Sequence, residues 1–124
     1  KTIREHTAPR LREAAAAAGR PAPRVVVGLP IAVTADAAAA RASAARVFQV
    51  YGFLPSYRRM LDLEGAEGPA DVAIVGSEQQ VRDQVAAVAA AGATDLLWAP
   101  FPIEGDPDAI ERTRDLLSTL ARRA

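Results

Sequence analysis

The stretch from Val72 to Pro100, VAIVGSEQQVRDQVAAVAAAGATDLLWAP, constrains the fold more than any other part of the chain. It reads as a short apolar run, a Gly-Ser turn, an amphipathic helix, a two-residue link and a second apolar run. Ser77 is a natural N-cap, and Gln80 three residues on completes a capping box for the first free amides. Val81, Val85, Val88 and Ala89 share one helical face, while Arg82, Asp83 and Gln84 fall elsewhere. Gly92 sits where a helix ends in the left-handed conformation that glycine adopts cheaply. Asp95 then opens LLWA, a run too short for a helix and bounded by Pro100. A helix that enters a buried strand through so short a link is half of a β/α repeat.

The rest of the chain supplies a second such unit. Arg24 to Thr34 is nearly all apolar and branched, the pattern of a parallel strand covered on both faces. Gly28 and Pro30 inside it suggest a bulge or an end-of-strand bend, since proline cannot donate to a central ladder. Asp36 caps a helix whose buried stripe reads as Ala40, Ala44, Val47, Phe48 and Tyr51, with Gly52 as its breaker. A helix from about Pro55 to Glu64 carries Leu54, Tyr57, Met60, Leu61 and Leu63 on one side, with Arg58, Arg59 and Asp62 on the other. Upstream, Thr2 with Glu5 reads as a capping box, and Ile3, Leu11, Ala14, Ala15 and Ala18 form a thin stripe. Pro9 kinks or restarts that helix, and Gly19 closes it. Downstream, Asp106-Pro107 reads as an N-cap with proline at the first helical position. Ile110, Leu116, Leu117, Leu120 and Ala121 then face inward, with Arg122 and Arg123 in the last turn, where cations suit the helix dipole.

Composition excludes several classes of function. Fifteen basic residues balance fifteen acidic ones among 124, so no global charge favours nucleic acid or an anionic membrane. The absence of cysteine excludes disulfides, thiolate metal sites and a cysteine nucleophile. No apolar run approaches the ~20 residues that span a bilayer, and a soluble cytoplasmic protein is the expectation. The single histidine, His6, lies among charged residues without an orienting partner, and reads as a solvated side chain rather than a base.

Two strands separated by helices should be parallel and joined by a right-handed crossover. Two such strands alone make a poor sheet, and VAIV is a third candidate. A start at Lys1, directly on a helix cap, also points to a piece of something larger. The expected architecture is therefore the C-terminal portion of a (β/α)8 TIM barrel: helix 6, strand 7, helical layer 7, strand 8 and helix 8. Residues 1–124 would form one barrel piece, with a helical insertion at about 53–68. A small independent α/β domain is the alternative.

The series PRVVVGLPIAVTAD, YGFLPSYRRMLDLEG and DVAIVGSEQQVRDQVAAVAAAGATDLLWAPF resembles the C-terminal part of the luciferase-like monooxygenase superfamily, closest to its deazaflavin-dependent branch. The segment VGSEQQV…AAAGATDLLW carries most of that likeness. It covers this chain but only the C-terminal part of a typical ~250-residue barrel. The resemblance implies an oxidoreductase using coenzyme F-420 (8-hydroxy-5-deazaflavin), or FMN as the alternative. It would transfer hydride or electrons to a small organic substrate or to oxygen. Its implied partners are that substrate and the rest of the barrel; composition adds no nucleic acid and no membrane, and the unpaired strand edges make a homodimer the expected form of the isolated chain. The catalytic residues would lie upstream of Lys1, so none is assigned, and the fragment alone would be inactive.

Barrel geometry brings strand ends and the following helix starts to one face, which collects Val33, Thr34, Gly76, Ser77, Ala99, Pro100 and Phe101. Free amides at Gly76 to Glu78 could hold an anion, although capping by Ser77 competes with that use. Tyr51, Tyr57, Arg58 and Arg59 belong to a helix-loop-helix that a minimal β/α repeat does not need. Their rings could pack on a flavin and their guanidinium groups could meet its anionic tail, or they could serve packing and solvation. The candidate cofactor-binding set is thus Tyr51, Tyr57, Arg58, Arg59, Gly76, Ser77 and Phe101, with no metal ligand. Trp98, in the middle of the last strand, is expected to pack in the core.

Overall fold

The structure is a computed structural model that describes residues 1–122. It is an α/β unit built on three parallel strands, β1 (Val26–Val33), β2 (Ile74–Gly76) and β3 (Asp95–Ala99), in the order β2-β1-β3. The helices are α1 (Ala8–Ala17), α2 (Ala37–Val47), α3 (Pro55–Glu64), α4 (Glu78–Ala90) and α5 (Ala109–Ala121). The sheet thus has three members rather than two, but only Ile74 and Val75 of the VAIV run belong to the third strand, since Val72 ends a 3-10 turn (Pro69–Val72). Among the described residues no helix is long and apolar enough to cross a membrane.

Pro30 lies in the central strand without a bulge, and the backbone parity of β1 explains why. Val25 accepts from the amides of Thr94 and Asp95, and the Ile31 carbonyl accepts from the Trp98 indole at 2.9 Å. Odd-numbered residues thus direct their backbone groups toward β3. Even-numbered residues turn the other way, as the Thr34 amide does in bonding the Gly76 carbonyl at 2.9 Å. On that side β2 begins only at Ile31↔Ile74, so the missing amide of Pro30 faces no strand. On the other side β3 pairs with β1 from Val26↔Asp95 to Pro30↔Ala99.

The two faces of the sheet are covered unequally. Ile31, Val33 and Ile74 pack under Val81 of α4 and Leu116 of α5, with Leu29, Leu96 and Trp98 at the margin. On the opposite face Ala32 and Val75 pack with Ala40 and Ala44 of α2 and with Phe101, Ile103 and Ala109. That cover reaches only the C-terminal end of the strands. Val26 and Leu97, farther back on the same face, are 63% and 64% exposed.

Local signals hold where the chain itself closes them. The Ser77–Gln80 box forms in both directions, and Gly92 ends α4 at φ 113°. Asp36 accepts from the Ala39 amide at 2.9 Å. The Thr2–Glu5 box does not form. Thr2 is already helical (φ −52°, ψ −45°), so its side chain cannot swing back over the helix end. Its amide donates to Glu64 instead, at 2.8 Å. Residues Ile3–Thr7 make a π-helical turn closed by the Ala8 amide on Ile3, and Pro9 then restarts the chain as an α-helix. Apolar stripes read from period alone are only partly buried. In α1 only Ala8 is buried, and Leu11 is exposed. Helix α2 ends at Val47, which is exposed, and the stripe it buries runs through Ala40, Ser43 and Ala44. Helix α3 buries Leu61 but exposes Tyr57 and Met60. Arg123 lies outside the described residues.

Burial on β1 sets a clear contrast between two substitutions. Ile31→Ala removes a 1%-exposed side chain and is expected to cost about 2–5 kcal/mol of stability. Val26→Ala, on the open face, is expected to stay within about 0.5 kcal/mol. Urea midpoints of the two variants check this.

Candidate functional site

The carboxyl ends of parallel strands are where α/β sheets gather polar groups, and β1 ends in such a cluster. The Thr34 hydroxyl donates to Asp106 Oδ2 at 2.7 Å, and Arg112 Nη2 donates to both carboxylate oxygens at 2.6 and 2.7 Å. The same nitrogen reaches the Val33 carbonyl at 3.3 Å. Beside it, the fully buried Thr113 hydroxyl accepts from the Val33 amide at 2.8 Å and donates to the Ala109 carbonyl at 2.6 Å. Side chains of α5 thus finish the backbone bonds of β1 beyond the end of its ladder. The Arg112 guanidinium and, after it, the Thr34 hydroxyl hold the Asp106 carboxyl below its ordinary value.

Asp106 is therefore not the helix cap its position before Pro107 suggests. Helix α5 begins at Ala109 behind Asp108, and neither aspartate makes a side-chain cap bond. Asp106 sits in a turn bridged to Ile103, and its carboxylate ties that turn to β1. Thr34 was visible in the sequence as a strand-end residue. Asp106 and Arg112, six positions apart, carry no motif, and only the packing of α5 on β1 brings them to Thr34.

The seven candidate cofactor contacts fall into two groups. Phe101 is 2% exposed and packs edge-on against Phe48 at 5.8 Å. The aromatic series continues from Phe48 to Tyr51 at 6.2 Å and from Tyr51 to Tyr57 at 4.7 Å, running from the core to the surface. Arg58 belongs to the same helix, but its donors are taken. It bonds Asp62 at 2.8 Å and the carbonyls of Ala66 and Glu67 at 2.7 Å, clasping the loop after α3. Arg59 is exposed and forms no hydrogen bond or ion pair among the described residues. Gly76 and Ser77 make the second group. Gly76 has φ 145°, and a Cβ there would lie 2.5 Å from Gln80 Oε1. That oxygen accepts from the Ser77 amide at 2.9 Å, so the start of α4 is closed by its own side chains.

These residues do not by themselves form a cradle for a flavin or deazaflavin. Arg58 is committed to its own loop, Phe101 to the core, and Ser77 to its capping box. A groove of about 570 Å³ lies elsewhere, between α4, β3 and α5, and is lined by Val85, Val88, Leu96, Trp98, Leu117 and Leu120. No group of His, Asp and Glu among the described residues could hold a metal ion.

Fold and site together define a small parallel α/β unit with a polar cluster at its strand ends and an aromatic series running outward beside it. Neither protein-family profiles, nor curated proteins, nor solved structures give a match to this chain.

Three substitutions test the roles of these side chains. Asp106→Asn is expected to lower stability at neutral pH by about 1–3 kcal/mol, through loss of the charge-assisted bonds from Arg112 and Thr34. Because the folded carboxyl titrates below its ordinary value of 3.8, its contribution is complete above that pH and lost as pH falls through the lowered value. The gap between variant and wild type should accordingly close in acid, as measured by urea unfolding at a series of pH values. Arg58→Ala should cost about 1 kcal/mol by freeing the loop after α3, whereas Arg59→Ala should be neutral. Thermal melts of the pair distinguish them.

Proposed function

We propose that this chain is the C-terminal wall of a luciferase-like (β/α)8 barrel, the soluble cytoplasmic oxidoreductase type that uses coenzyme F-420 or FMN. The observation that carries this reading is the unequal cover of the β1–β3 pair. Helices α4 and α5 cover one face, whereas on the other face α2 reaches only the strand ends and leaves the part around Val26 and Leu97 apolar and bare. The bare part has the character of the inside of a barrel wall, which packs against side chains from the other strands. The parallel pairing of β1 with β3 suits the seventh and eighth strands. Strand β2 lies where a sixth strand would run, but it spans only the last three residues of that edge of β1.

On this reading the cofactor is held mainly by strands outside the chain and supplies the redox chemistry. The chain's own part is structural. Tyr51 and Tyr57 border the catalytic face, and the Thr34–Asp106–Arg112 cluster fixes the strand end beneath it. The row of exposed Val50, Phe53, Tyr57 and Met60 favours a second reading, a non-catalytic α/β interaction module.

A titration of the deazaflavin coenzyme, and separately of FMN, against the longer parent polypeptide and against the 124-residue chain decides between them. The parent should bind one of the two at micromolar concentration or tighter, and the chain alone should neither bind nor turn over. A parent that binds neither leaves the interaction module. Turnover by the chain alone overturns the assignment of the pocket to other strands.

A further inference from the structure

Neither helix of the closed face lies squarely over β3. Helix α5 rests on β1, and α4 rests on β2 and β1, with Val81 and Leu116 over Ile31, Val33 and Ile74. Leu96 and Trp98, two positions apart and so on one side of β3, are left half-buried between the two helices. They floor the groove of about 570 Å³, with Val85 and Val88 of α4 and Leu117 and Leu120 of α5 as its walls. That volume falls within the ~300–1,000 Å³ of small-molecule sites, which are concave, apolar and marked by a few placed polar groups. The floor is also fixed in shape. The Trp98 indole is held by its bond to the Ile31 carbonyl at 2.9 Å, and the two valines of the wall are stiff at χ1.

The charges around this groove do not cancel. Asp95, the acid of the lining, is already paired with Arg24 and accepts from the Thr94 hydroxyl at 2.7 Å. Arg114, the cation of the lining, is exposed and forms no hydrogen bond or ion pair among the described residues. Ser118 follows one turn later on the same side of α5 and also lines the groove, so its hydroxyl stands beside that guanidinium. An apolar trough therefore carries one uncompensated positive charge and a neutral donor at its rim. A guanidinium offers two parallel N–H donors that match the oxygens of a carboxylate.

We propose that this groove binds a small amphiphile with a single carboxylate, its hydrocarbon part along Leu96, Trp98 and Leu117 and its head on Arg114 and Ser118. A neutral amphiphile gains nothing from Arg114, and a cationic one is repelled by it. A second negative charge finds no free cation in the lining, because Arg24 is spent on Asp95. The site lies on the helix-covered face, apart from the Thr34–Asp106–Arg112 cluster and from the bare face around Val26 and Leu97. It does not rest on the barrel reading, and either stands without the other.

Decanoate, kept below its micellar concentration, is the probe. Its binding to the 124-residue chain is followed by equilibrium dialysis and by the fluorescence of Trp98, the only tryptophan, with circular dichroism to confirm folding. Saturable one-to-one binding with a change in Trp98 emission is expected. From hexanoate to decanoate, each added methylene should tighten binding about two- to fourfold. Decanol and decyltrimethylammonium should bind at least ~10-fold more weakly than decanoate. Arg114→Gln, an exposed change, should weaken decanoate about tenfold and leave decanol unchanged. Ala89→Phe, which fills the groove from α4, should abolish both. No saturable binding of decanoate overturns the proposal, as does equal affinity for decanoate and decyltrimethylammonium. Unchanged decanoate affinity in either Arg114→Gln or a folded Ala89→Phe overturns it too. Sedimentation of wild type and Ala89→Phe covers the remaining occupant: self-association that Ala89→Phe breaks, without decanoate binding, gives the groove to a second copy and overturns the ligand site.

Discussion

Strand β1 must satisfy its backbone on two sides with neighbours that cover different halves of it, and the rest of the structure follows from how that is done. Toward β3 the ladder runs from Val26 to Pro30, and toward β2 from Ile31 to Val33. Proline at the changeover is tolerated because its missing amide falls on the side with no strand. Beyond the β3 ladder, side chains take over the bonding: the Trp98 indole on Ile31, the Thr113 hydroxyl and the Arg112 guanidinium on Val33. At the other end the Thr94 hydroxyl accepts from the Val25 amide at 2.8 Å. Buried backbone groups left unpaired are costly, and these four side chains remove that cost where strands are absent.

The same division explains where polarity concentrates. Asp95, which opens β3, is bound by the Arg24 guanidinium and the Thr94 hydroxyl, which hold its carboxyl down to about 2. Asp106 plays the corresponding part at the other end of β1, with Arg112 and Thr34. Between the two ends the sheet is apolar. One face is closed by α4 and α5, and the other only where α2 and Phe101 reach it. Helix α3 stands apart from this core. It is amphipathic, yet Leu61 is the only residue it buries, and the clasp of Arg58 on the following loop holds it in place through polar bonds.

Of the candidate site, the sequence showed the residues at strand ends and helix starts but not their occupation. Ser77 and Gln80 were legible because both partners of the capping box lie within one turn. Thr34 was legible as the end of an apolar run. Asp106 has the sequence pattern of an N-cap before proline but does not serve as one, because a carboxylate that can cap a helix can equally bind an arginine from the next turn. Arg58 looked free for the same reason. Apart from Asp62, its acceptors are backbone carbonyls of a loop, and carbonyls have no sequence signature.

What the sequence determined by itself is the set of features that close within a few residues. These are the α4 capping box, the left-handed glycine at 92, the Asp36 cap, and the apolar runs that became parallel strands. Their energies depend on neighbours along the chain, so local pattern suffices. Tertiary structure decided the strand order, the third strand, and which apolar stripes are buried. Val47, Tyr57 and Met60 have the period of a core face and remain exposed, because period states which residues share a side and not whether anything lies against it. It also decided that Thr2 would not cap its helix, since Glu64, 62 positions away, takes its amide. The open face at Val26 and Leu97 has the same origin: an apolar run marks a strand to be covered, and only the packing reveals how much of the cover this chain contains.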